Sequence, residues 1–336
     1  MIPADLSRAV VHAVRRAVEA GELRGPVPAR VVVERTRPGG VGEYASPVAL
    51  RMGRGAEGAR LLAGALVREP GIESVEVTGP GFLNFTLAPL SAAELVRDVR
   101  DRGGRYGCAP ALGEAVGGTR EQVVRAAVAR IHESRGIDEP QDGGPPTAPV
   151  ARRDGDVIGR YGAGAAVWAM LAVPARETPV FGDGLLVQSE ENEFFRVRYA
   201  HARARALTRN ARDLGFHAEP GDIAHPGGHI ARPGATPADP GGRIAHPGAA
   251  APTLPRALAD HPLAVEAAAH HRAPERLARH LVVVADALLD FQYQVLPLGD
   301  EKPSAAHRAR LALAEAAGAV LAGGLALLGI DAPDSL

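Results

Sequence analysis

Apolar residues recur at three- and four-residue spacing over residues 6–20, which predicts an amphipathic helix. The β-branched run Arg30-Val31-Val32-Val33-Glu34 reads as a strand. Ser46 followed by Pro47 is an N-cap and first-turn pair, and predicts a helix running to about Arg68. Alternation returns over 71–77 and 82–87, with turn chemistry at Thr78-Gly79-Pro80-Gly81 between them. The two runs are therefore expected as antiparallel neighbours. A helix over 91–102 would close the unit, giving an α+β N-terminal domain over residues 1–106, a small antiparallel sheet with helices.

Residues 107–158 lose this regularity. A helix is predicted over 119–135, and Gly143-Gly144-Pro145-Pro146 reads as linker. Beyond lies a short apolar segment at 167–173. Helical spacing then returns over 277–294 and 305–328, so residues 159–336 are expected as an all-α bundle. Residues 215–255 interrupt it with glycine, proline, alanine and histidine in a loose repeat, as in Ile223-Ala224-His225-Pro226-Gly227 and Ile244-Ala245-His246-Pro247-Gly248. Units this short bury no hydrophobic face, and the segment reads as a disordered insertion. Its His225, His229 and His246 lack a scaffold to fix ligand geometry, so no specific metal or other cofactor is expected.

With 336 residues, 46% of them hydrophobic, the chain has room for two cores. Its formal net charge of −1 excludes a wholly basic nucleic-acid binder, so any RNA affinity must come from local patches. Cys108 is the sole cysteine, which excludes an intrachain disulfide and a multi-cysteine zinc site. The first helix carries charges where a secretory signal would be apolar, and the most apolar stretch, 316–330, is shorter than the roughly 20 residues that span a bilayer. A cytoplasmic protein without membrane association is the expectation.

The densest chemistry lies at Phe194-Phe195-Arg196-Val197-Arg198-Tyr199-Ala200-His201-Ala202-Arg203. From Phe194 to Arg212 there are six arginines and no acidic residue. On a helix, Arg198, Arg205, Arg209 and Arg212 fall within about 60° of one another. Such a stripe can fork onto phosphate oxygens. On charge alone, a solvated face is the simpler reading.

Two separated regions resemble bacterial arginyl-tRNA synthetases. Gly42-Glu43-Tyr44-Ala45-Ser46-Pro47-Val48-Ala49-Leu50 and Val77-Thr78-Gly79-Pro80-Gly81-Phe82-Leu83-Asn84-Phe85-Thr86-Leu87 are similar to that family's N-terminal additional domain. There an aromatic and an asparagine recognise a D-loop nucleotide of tRNA, and Phe82 and Asn84 stand at the matching positions. An aromatic offers a stacking plane and an amide reads a splayed base edge. The alternative is that Phe82 is core and Asn84 a turn residue. Glu190 to Arg203, with Tyr199-Ala200-His201-Ala202-Arg203, resembles the entry helix of the family's anticodon-binding domain. Ala309-Arg310-Leu311-Ala312-Leu313-Ala314 and Val320 to Ile330 resemble its final helix. The resemblance implies RNA contacts by Phe82, Asn84, Arg198, Tyr199, His201, Arg205, Arg209 and Arg212, and tRNA, an arginine isoacceptor, as the partner.

The departures bear on catalysis. A synthetase of this family carries its Rossmann-type domain where this chain has about fifty residues between Tyr106 and Gly159, too few for several βαβ units. His225-Pro226-Gly227-Gly228-His229 has one residue too many for the family's His-x-Gly-His motif. Lys302 is the only lysine, so the lysines of a KMSKS loop are missing. Arg198 replaces a usual glutamine, and His280 and Gln292 stand where tyrosines are common. The expectation is a non-catalytic relative that binds tRNA without ATP. The alternative is a protein-interaction module that has lost RNA binding.

Overall fold

The structure, a computed structural model, describes residues 1–36, 40–52, 54–106, 118–137, 144–223 and 252–336. Cys108, Gly143 and the histidines 225, 229 and 246 lie outside the described residues, as does most of the predicted insertion. The chain divides into two compact units between Leu90 and Ser91.

The first unit is α+β. Its α1 (Pro3–Glu19) starts on a first-turn proline and buries Leu6, Val10 and Val14. The strand expected at 30–34 shrinks to β1 (Glu34–Arg35). Of the valines before it, Val31 and Val33 are buried and Val32 half-buried, and they leave the ladder because side chains take two of their carbonyls: Ser7 Oγ donates to Val31 O at 2.6 Å and Ser46 Oγ to Val32 O at 2.9 Å. Ser46 is thus no helix cap. It ends β2 (Tyr44–Ser46) with its hydroxyl already engaged.

The helix predicted from Pro47 to Arg68 is two helices, α2 (Val48–Arg51) and α3 (Gly55–Leu66). Gly55 at φ +47° cannot continue a right-handed helix, so the chain turns there. The hairpin β3 (Ile72–Thr78) and β4 (Phe82–Leu87) forms as expected, pairing Thr78 with Phe82 and Glu76 with Asn84.

The sheet order β1-β2-β4-β3, antiparallel throughout, makes β4 a central strand. Its Leu83, Phe85 and Leu87 face the core, and Phe82, Asn84 and Thr86 take the other face. The Gly-Pro-Gly turn has a packing reason. Gly81 sits at φ +138°, and a Cβ there would fall 2.7 Å from the Gly55 carbonyl at the start of α3.

The second unit is helical: α4 (Ala92–Arg102), α5 (Arg120–Ser134), α6 (Val157–Tyr161), α7 (Ala163–Leu171), α8 (Glu193–Asp213), α9 (Leu254–His271), α10 (Pro274–Phe291) and α11 (Ala305–Leu328). The helix expected to close the α+β unit is α4, and it packs on α9 and α11 instead. The predicted linker is also partly core. Thr119 caps α5, which buries Val123, Ala127 and Ile131 against α7, α9, α10 and α11. The predicted insertion begins later than residue 215, since Phe216 is buried and Arg310 Nε donates to Ile223 O at 3.1 Å.

At the centre of the bundle, α11 is built from alanine, glycine and leucine, so its neighbours approach closely. A Cβ at Gly324 would meet Leu281 of α10 at 2.3 Å. The apolar stretch is longer than the sequence reading allowed. Over 24 residues α11 is long and apolar enough to cross a bilayer by length and composition, and 78% of that apolar window is buried inside the unit. Its apolar surface is accounted for by helix packing.

Candidate nucleic-acid interface

The entry to α8 is set by Asn192. Its Oδ1 accepts from Phe195 N at 3.3 Å, and its Nδ2 donates to Leu185 O at 3.1 Å and Val187 O at 2.9 Å. From there Phe194, Val197, His201, Ala204, Leu207 and Ala211 point inward against α10 and α11. Phe194 packs on Trp168 with ring centroids 6.0 Å apart.

The six arginines of this helix take different roles. Arg196 pairs with Asp286 of α10 at 2.8 Å, and Arg203 Nε donates to Gln292 Oε1 at 2.6 Å, so both tie α8 to the end of α10. Arg198 is half-buried with its guanidinium 5.2 Å from the Phe194 ring centroid. Burial weakens its basicity, and Asp331 partly restores it. Arg205, Arg209 and Arg212 are exposed along one side. Arg205 grips Asp334 two-handed, at 3.0 Å and 3.3 Å, and Arg209 reaches the Asp334 carbonyl at 3.4 Å. The hydrogen bond from Arg205 holds the Asp334 carboxyl below the usual carboxylate range. Arg212, one turn from Arg209, has no ion pair among the described residues.

Two expected contact residues stand differently. Tyr199 is 40% exposed and lies nearly parallel to Phe195, ring centroids 5.6 Å apart, about a quarter turn or more round the helix from the exposed arginines. His201 is buried at 4% exposure, contrary to its expected place on the RNA face. Its position on the inward face of α8 is the reason. Nδ1 lies 3.0 Å from Pro333 O, and burial holds its pKa below the usual histidine value. His201 secures the 330–336 segment from beneath and is withdrawn from any ligand.

In the first unit, Phe82 is 38% exposed on the outer sheet face. Asn84, two residues on, is buried, because the Gly42 backbone crosses over it: a Cβ on Gly42 would come 3.3 Å from Asn84 Cβ. Its Nδ2 donates to Thr78 Oγ1 at 2.7 Å and to Glu76 O at 3.4 Å. The amide is therefore fixed in orientation, with Oδ1 making no hydrogen bond among the described residues. Phe82 and Asn84 share one face, as the alternation predicts, on an interior strand.

Sequence reasoning missed a set of arginines turned into the helical unit, two of them, Arg120 and Arg310, buried. Arg120 is 2% exposed, and its guanidinium donates to the carbonyls of Met170 (3.1 Å), Ala148 (2.8 Å), Ala175 (3.1 Å), Pro174 (2.9 Å), Val173 (3.4 Å) and Glu177. Arg130 Nε caps Leu327 O at 3.1 Å near the end of α11, and Arg310 bridges Ile223 O and Gln294 O. Five donors in a planar fork serve several carbonyls at once, which lysine cannot do. Nothing local in the sequence marks these positions, since every partner is distant. Among the described residues, no cluster of His, Cys, Asp and Glu could hold a metal ion.

A small antiparallel α+β unit and a helical unit entered by an arginine-lined helix define a two-module chain with a basic face on α8. The comparisons place these modules. Residues 4–87 match the arginyl tRNA synthetase N terminal domain, and residues 197–336 match the DALR anticodon binding domain. The chain is thus a relative of the arginyl-tRNA synthetases and carries two of that family's domains. Similar curated proteins include the arginine–tRNA ligases of Frankia alni (49% identical over 112 residues, 32% of this chain and 20% of the relative) and Kineococcus radiotolerans (37% over 160 residues, 40% and 29%). That of Micrococcus luteus is 43% identical over 117 residues, 32% of this chain and 21% of the relative. The chain spans less than a third of the length of these relatives. In fold it is similar to the Thermus thermophilus arginyl-tRNA synthetase, with a TM-score of 0.58 and 14% identity over the full extent of both chains.

Proposed function

We propose that this protein is a non-catalytic relative of arginyl-tRNA synthetase that binds tRNA, an arginine isoacceptor, through both modules. The observation that carries the reading is the outer side of α8. Arg205, Arg209 and Arg212 line one exposed side, exposed Tyr199 lies further round the same helix, and no acidic residue of α8 interrupts the run from Phe194 to Arg212. Arginines engage phosphates while an open aromatic plane takes an unstacked base, the combination that single-stranded loops require. Phe82 supplies a second stacking plane, with Asn84 Oδ1 on the same face as an acceptor. The lack of His-x-Gly-His and of any lysine but Lys302 supports the absence of ligase chemistry, because neither ATP-handling motif can be assembled from this sequence.

Crosslinking the protein to RNA in cells and sequencing what is bound tests the proposal. Enrichment of arginine tRNAs, with crosslinks in the D-loop and anticodon loop, is the expected result. Recovery of no tRNA above background would refute it.

The protein-interaction reading draws on a different observation. A groove of about 430 Å³ lies between α7 and the entry of α8, floored by Trp168, Ala172, Val173 and Leu185, with Leu186 and Val187 exposed nearby. Recovery of a stoichiometric protein partner in place of RNA would favour that reading.

A further inference from the structure

We propose that residues 331–336 are a displaceable acidic cover on the arginine stripe of α8, which the phosphates of a bound RNA must remove. The inference rests on the RNA-binding reading and adds a regulator to the same surface. The segment follows Ile330, which is buried at 3% exposure and fixes the point from which the cover departs. Beyond it, Asp334 takes the two-handed grip of Arg205, and the charge of Asp331 favours the charged form of Arg198. Arg209 holds the Asp334 carbonyl, and His201 holds that of Pro333. The Asp334 carboxylate therefore meets the stripe where a phosphodiester would, with a second acidic residue, Asp331, three positions before it.

The cover is held weakly, as a removable element must be. The Arg205 and Asp334 side chains are 52% and 63% exposed, and an exposed pair of this kind shifts an equilibrium by at most about five-fold. A single anion gains too little at Arg205 to displace it. A polyanion that reaches Arg205, Arg209 and Arg212 together gains at each position, and Arg212 beyond the cover offers a first contact before displacement begins. The arrangement thus filters ligands by the number of phosphates they present, and makes weak, nonspecific anion binding unproductive. It also fits a chain of net charge −1, whose basic face would otherwise collect small anions.

The test measures binding of the full-length chain to an unmodified arginine tRNA transcript across a salt series. Asp334→Asn keeps the shape and removes the charge. It should bind about three- to five-fold more tightly at low salt, with a salt slope steeper by about one, because Arg205 no longer exchanges one anion for another. Asp334→Glu should restore wild-type affinity. Asp331→Asn, which leaves the Arg205 pair intact, should give a smaller step in the same direction. Unchanged or weaker binding by Asp334→Asn, with Arg205→Ala still impaired, would overturn the cover while leaving the RNA-binding reading intact. If neither the wild type nor Asp334→Asn binds the transcript at the lowest salt, the RNA-binding reading fails and the cover falls with it.

Discussion

Replacing Arg120 by methionine keeps most of the side-chain volume and deletes every donor in the carbonyl cage that joins α5 to the chain after α7. Six carbonyls receive its guanidinium. Two of them keep a backbone partner: Ala148 N donates to Ala175 O at 2.8 Å and Glu177 N to Pro174 O at 2.9 Å. Water can reach the exposed end at Glu177. That leaves roughly two or three carbonyls without a donor, at about 1–1.5 kcal/mol for each hydrogen bond lost and more where the group stays dry, so a total near 3–4 kcal/mol is expected. For a unit of this size, 1 kcal/mol corresponds to about 2–4 °C, and the melting temperature should fall by roughly 6–16 °C. Arg120→Lys should lose nearly as much, because one ammonium cannot fork to both loops. Thermal unfolding followed by circular dichroism reads the change. A drop below about 2 °C for Arg120→Met would refute the reasoning and return residues 118–150 to the status of a linker.

Other expectations follow from the same contacts. Asn84→Ala should cost about 1 kcal/mol of stability in the first unit through the lost bond to Thr78, and a further 1–3 kcal/mol of tRNA affinity if Oδ1 reads a base. Equal affinity losses on tRNA altered at the D-loop would show that no base is read. Because burial depresses the His201 pKa, the unfolded chain takes up its proton first. This residue's contribution is therefore intact above about pH 6.5 and lost as pH falls toward the folded-state value. His201→Asn should flatten the acid-side decline in melting temperature, and an unchanged decline would exclude His201 as its source. Purified protein given ATP, arginine and tRNA should form neither adenylate nor charged tRNA, and arginine-dependent pyrophosphate exchange abolished by mutating this chain would sink the non-catalytic reading.

The parts of the fold legible in sequence were those with local causes. Alternation and a Gly-Pro-Gly turn specify the β3–β4 hairpin within sixteen consecutive residues, Ile72 to Leu87, and helical spacing specifies α1, α10 and α11. The failures have non-local causes. Val31–Val33 carry strand propensity, yet Ser7 and Ser46, one on each side in sequence, take two of their carbonyls. The helix α4 has the pattern of a helix but no local mark of which unit it packs on. At the candidate site, periodicity correctly grouped the stripe of Arg205, Arg209 and Arg212. It could not show that His201 lies on the inner side of the same helix, nor that Asp334, more than a hundred residues away, lies over Arg205. Alternation puts Asn84 on the same face as Phe82, but the Gly42 crossing that buries it comes from another strand connection.

The most direct test of the central claim is the salt dependence of tRNA binding by the wild type and by the triple variant Arg205→Ala, Arg209→Ala, Arg212→Ala. If the stripe contacts phosphates, the logarithm of the wild-type association constant should fall linearly with the logarithm of salt concentration. The triple variant should bind more weakly with a slope shallower by about two to three. A wild-type protein that binds no tRNA at low salt, or a triple variant with an unchanged slope, would contradict the account.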